Sequence, residues 1–283
     1  MSGLVPEWIV SAFAVATVFV VMFNLGLDMN PRDFVQAWGR PALMLKALFA
    51  VLVAAPVITL VVARALQLPR PAEVGMLVMA IAPGAPVALR RSLAAGGDRN
   101  FAPGLQVTIA LLAVISMPVS LALLDGLYAA SATISPWQLL RQVLLAQFLP
   151  LALGVCLGQM HGRAAAWLQP RLAHVGQWLL GALALLAIVG FWSVLIATGP
   201  RVAIAIVLTT LAGLAVGHFL GGPNPATRTA VAISTALRNP GLALLAAALN
   251  SAPPGVKATI LTCLVVTGLT VTPYAIWRSR YSS

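Results

Sequence analysis

The chain has 283 residues, 60% of them hydrophobic and only 8% charged, with a mean hydropathy of +0.97. So few polar groups cannot cover a water-facing surface of that size, which excludes an ordinary soluble domain. The net charge of +11 would suggest nucleic acid in a soluble protein, but here the basic residues are scattered over short connections, where they set membrane topology; no nucleic-acid partner is expected.

Apolar stretches recur at about the 20 residues needed to cross a hydrocarbon core and lack the alternation of a barrel strand. Only internally bonded helices then satisfy the backbone in lipid, so the fold class is an all-α polytopic membrane protein. The first stretch, "EWIVSAFAVATVFVVMF", has Glu7 as the only charge ahead of it, no basic leader and no convincing cleavage site, so it reads as a mature helix over about 7–27. Further spans fall at about 41–66, 73–94, 102–126, 136–159, 170–197, 201–220, 226–250 and 256–277, nine in all, in a single transmembrane transporter domain over 1–283. Pro, Gly, Asn and charge cluster between them, as in "LDMNPRDFVQAWGR", "AAGGDRN" and "GGPNPATR". Cys156 and Cys263 sit in apolar runs with no second ligand nearby and read as small core residues.

Basic residues set the orientation. With the N-terminus out, the inner side holds Arg32, Arg40, Arg90, Arg91, Arg99, Arg163, Arg171, Arg228, Arg278 and Arg280, against Arg64, Arg70, Arg201 and Lys257 outside. That asymmetry favours a cytoplasmic C-terminus. The short loops suit a bacterial inner membrane.

Two spans differ from the rest. The third carries Pro83, Gly84, Ala85 and Pro86 at its middle, and the eighth carries Asn239, Pro240 and Gly241. Proline removes a helical N–H, so both spans should break in mid-membrane, and the freed groups are tolerable only inside protein or beside a wet cavity. The breaks lie five spans apart, so the two helices run in opposite directions. This is an inverted repeat of 4 + 5 helices, the first about 1–128 and the second about 134–280. Matched broken helices point to a substrate and ion site at the midplane.

The segments "MFNLGLDMNPRDF" (22–34), "APGAPVALRRSLAAGGD" (82–98) and "ALRNPGLALLAA" (236–247) resemble the signature segments of the bile acid:sodium symporter family, in order and spacing. The resemblance implies core and panel domains, two broken helices crossing in the core, and carriage of organic anions, usually with sodium. It also shows departures. The Ser-Asn pair that holds sodium in the family falls on Ala88 and Leu89; a family glutamate falls on Ser234; Gln-Asn-Ser falls on Arg238, Asn239 and Pro240; hydroxyl positions of the following helix fall on Ala102 and Gln106. None of the acidic residues Glu7, Asp28, Asp33, Glu73, Asp98 and Asp125 lies centrally in a span. The usual sodium ligands are therefore replaced, no other cofactor or metal is expected, and cation coupling is expected to be lost or altered.

Arginine at the centre of a span costs about 2.5–3.5 kcal/mol on insertion scales and needs a reason. Arg238 either fills the position of a bound cation, satisfying carbonyls of the break, or forks onto a substrate carboxylate; the competing reading is a helix-end charge that snorkels to the surface. Thr235, Arg90 and Asn24 complete the candidate solute- and ion-binding residues. The function expected is a secondary transporter of a small organic anion working by alternating access. The alternatives are a transporter-like receptor or scaffold, and a carrier of a neutral solute. No catalytic motif of an intramembrane enzyme is present.

Overall fold

The structure, a computed structural model, describes residues 7–29, 31–84, 86–128, 136–190, 199–249 and 252–280. Every element among them is helical, in keeping with a polytopic membrane protein. We number the helices α1 (Glu7–Asp28), α2 (Pro31–Trp38), α3 (Pro41–Ala65), α4 (Arg70–Ala80), α5 (Pro86–Ala94), α6 (Ala102–Tyr128), α7 (136–160), α8 (Gly162–Gly190), α9 (Gly199–Leu220), α10 (Pro225–Ala236), α11 (Pro240–Leu249) and α12 (Pro254–Ser279). Among the described residues, five stretches are long and apolar enough to cross a membrane: α3, Ala102–Leu123 of α6, α9, Pro225–Ala248 and α12.

Two groups of helices pack together. α1 lies along α8 and the second half of α7, while α3, α9, α10 and α12 form a second group with the segments α4 and α5. The first contact is backbone to backbone: a Cβ built on Gly26 would meet the Leu151 carbonyl, and one on Gly154 the Phe23 carbonyl. Side chains that face outward, such as Val53, Val57 and Val61 on α3, are apolar, as a lipid-facing stripe requires.

The sequence pattern is corrected in two places. Residues 31–38, read as a connection, form α2, with Pro31 at its start and Asp33 in the first turn, where a negative charge suits the helix dipole. The Trp38 indole donates to Thr108 Oγ1 at 3.2 Å, which ties α2 to α6. The sixth span, expected from about 170, begins at Gly162 and runs through Pro170. Proline gives up only its own N–H bond, so a long helix continues through it with a local adjustment rather than ending there. Residues 191–197 of that span lie outside the described residues.

Both expected breaks are present. α4 ends at Ala80 and α5 starts at Pro86; α10 ends at Ala236 and α11 starts at Pro240. They meet each other, since the Asn239 N–H donates to the Ala82 carbonyl at 3.0 Å.

Candidate solute site at the two helix breaks

The second break is shaped by its own side chains. Asn239 ends the irregular segment and its Oδ1 accepts the Leu242 N–H at 3.1 Å, which caps α11. Its Nδ2 is buried and has no protein partner. Next to it, Arg238 is only 8% exposed. The guanidinium donates from Nη2 to the Thr235 carbonyl at 2.8 Å and from Nη1 to the Val51 carbonyl at 2.9 Å. Neither the Arg40–Asp98 nor the Arg64–Glu73 ion pair involves it. Arg238 therefore does not snorkel.

The Val51 bond follows from a local defect in α3. Residues Ala50–Ala54 form a π-turn in which the Ala55 N–H reaches back to Ala50. In that register the Val51 carbonyl would look to residue 56, which is proline and has no N–H. A buried carbonyl without a partner costs about 1–3 kcal/mol, and Arg238 supplies its donor.

The first break works without charged groups. Gly84 takes φ +82°, a left-handed conformation suited to glycine. Ala82 contributes its carbonyl to Asn239, and Ala88 and Leu89 are buried. Ala85 lies outside the described residues.

A cleft of two adjoining lobes opens between the helix groups. The larger lobe, about 320 Å³, is walled by α1, α5 and α8 and carries Asn24, Asp28, Leu89, Arg90, Arg91 and Gln177. A second lobe of about 280 Å³ shares Val21, Val87, Arg91, Gln177 and Leu180 with it and reaches Arg238, Asn239 and Pro240. Arg90 donates to the Ala173 carbonyl at 3.2 Å and Arg91 to the Gly268 carbonyl at 2.9 Å, which fixes both chains along the wall. The buried Asn24 Oδ1 has no protein partner. Most of the lining is apolar, and the combined space suits a small organic molecule.

The expected residues thus divide. Arg238, Asn239, Pro240, Leu89, Arg90 and Asn24 line the cleft. Thr235 lies behind it, where with Arg238 it borders a separate small chamber. Ser234, Gly241, Pro83 and Gly84 are buried in the core without lining the cleft, and Pro86 begins α5. Gln106 is 1% exposed and neither of its amide atoms has a protein partner, yet it lines none of these spaces. Arg91, which the sequence offers beside Arg90 as a weaker candidate, lines both lobes, whereas Gln177 and Thr17 were missed. Gln177 carried a signal, as the one amide in the apolar run "VGQWLLGALALL".

A family model described as the sodium bile acid symporter family matches residues 15–199. The chain belongs to the sodium bile acid symporter family. Members of the sodium bile acid symporter family are membrane transporters rather than enzymes, so the chain is a transport protein for a bile-acid-like or related solute. No curated protein sequence matches the chain significantly. The family match covers α4, α5 and the first break and stops before the second, where Arg238 lies.

Proposed function

We propose that this protein is a secondary carrier of a small organic anion, which it binds in the cleft between the α1–α8 wall and the two helix breaks and moves by alternating access. The observation that carries this reading is Arg238, a buried guanidinium on the cleft wall with no carboxylate partner among the described residues, beside the unpartnered Asn239 Nδ2 and the N-terminus of α11. A fixed positive charge, a free amide donor and a helix N-terminus together make an anion the favoured occupant. Arg91 adds a second guanidinium, and the apolar residues Val21, Val87, Leu180 and Leu264 suit a hydrocarbon body. The nine spans form an inverted repeat of four plus five helices, with the N-terminus out and the C-terminus in the cytoplasm of a bacterial inner membrane, and cation coupling is lost or altered.

The test is uptake of radiolabelled organic carboxylates and sulfonates into proteoliposomes, with wild type beside Arg238→Gln. Uptake should be saturable in wild type and fall to background in the variant. Unchanged uptake by folded Arg238→Gln overturns the assigned role of the arginine, and preference for uncharged solutes overturns the anion assignment. Saturable binding with no uptake would favour a ligand-binding receptor instead.

A further inference from the structure

Arg238 borders two spaces. Besides the cleft, it lines a small half-open chamber of about 40 Å³ between α3, α4, α9, α10 and α12. That is room for a small number of waters or one small ion. Five threonines line it: Thr59, Thr209, Thr210, Thr235 and Thr267. All five lie outside the three segments that carry the family resemblance in the sequence.

The protons of these hydroxyls are already committed. Thr59 donates to the Ala55 carbonyl at 2.8 Å, Thr209 to Ala205 at 2.9 Å, Thr210 to Ile206 at 2.6 Å and Thr235 to Val231 at 2.7 Å. Thr210 and Thr267 share a bond of 3.3 Å, and with the Thr210 proton taken, Thr267 is its donor. A hydroxyl that spends its one proton offers only lone pairs elsewhere. These hydroxyls therefore have only lone pairs left to offer, and the Thr235 carbonyl that holds the guanidinium adds another acceptor to the lining. No carboxylate lines it; its ionisable groups are Arg238 and the Cys263 thiol. Such a shell of neutral oxygens disfavours an anion, lacks the negative charge a divalent ion calls for, and suits a monovalent cation.

We propose that this chamber is a monovalent-cation seat whose occupant is covalently tethered: the guanidinium of Arg238 supplies the charge, and removing it converts the chamber into a site for free sodium or potassium. Its consequence for transport, that no dissociable cation is needed, rests on the carrier reading above; the seat itself is tested without transport.

The experiment is thermal unfolding of the detergent-purified protein in sodium, potassium or choline chloride at equal ionic strength. Wild type should unfold at the same temperature in all three. Arg238→Gln should be less stable in choline and recover by about 5 °C or more in saturating sodium or potassium, and adding Thr209→Val with Thr267→Val should abolish that recovery. Arg238→Ala should in addition be stabilised by millimolar methylguanidinium chloride, a free copy of the lost group. A sodium-specific rise in wild type would overturn the proposal, because the seat would then be free. Folded Arg238→Gln that ignores all three salts would overturn it too. Failure to obtain either variant folded in any of these salts counts equally against it, since an open seat would have been filled. Uptake plays no part in these readings, so a protein that fails to transport can still pass them.

Discussion

The two helix breaks touch, but they are built from different materials. The first, around Ala82, Pro83 and Gly84, has small side chains and works through its backbone: a left-handed glycine turns the chain and a carbonyl is offered to the other break. The second, Leu237 to Asn239, works through side chains: Arg238 binds two carbonyls, and Asn239 caps α11 while its Nδ2 stays buried without a protein partner. A pair of broken helices can therefore share one architecture and still divide its tasks, with shape supplied by one and charge by the other.

The comparison is broken most directly at Arg238. Arg238→Leu strands the Val51 and Thr235 carbonyls in the interior at a cost of about 1–3 kcal/mol each. Thermal unfolding should show a fall of several degrees, and uptake should be lost. Asn239→Ala should cost about 1 kcal/mol through the lost cap and weaken solute affinity through the lost Nδ2, which a binding titration on the purified variant separates from stability. Gly84→Ala meets only ordinary contacts, the nearest at 3.4 Å from Ile109 Cγ2, so its cost comes from φ and should be about 1 kcal/mol; its effect on anion affinity should be small if the first break supplies shape alone. The smallest effect belongs to Gln106→Leu. Its amide has no partner to lose, so stability should stay within about 0.5 kcal/mol of wild type or rise. Loss of uptake without loss of stability would instead make Gln106 a solute or ion ligand that lies apart from the cleft at rest.

The breaks were legible because proline and glycine act on the backbone whatever surrounds them, and the helices were legible because lipid permits little else. α2 was harder to read for its length: its eight residues are strongly amphipathic, but so short a run between turn residues is easily taken for a connection. The cleft wall on α8 was half legible, since Gln177 stands out in its run while Gly176 and Leu180 do not. The threonine chamber was not legible at all. A threonine in an apolar helix can always satisfy itself on the preceding turn, and only packing reveals that five of them share a space. The partner of Arg238 was hidden for another reason, because Val51 is 187 positions away and its carbonyl is free only through the π-turn beside it.

That π-turn carries an evolutionary consequence. Proline at position 56 deprives one carbonyl of its donor, and arginine at position 238 restores it, so neither substitution stands well alone. Restoring an N–H at 56 would let α3 wind normally and release position 238 to change; keeping the proline while losing the arginine leaves an unanswered carbonyl in the membrane. Among descendants of this sequence the two positions should therefore change together, and a chain in which only one has changed should carry a replacement donor at the same spot.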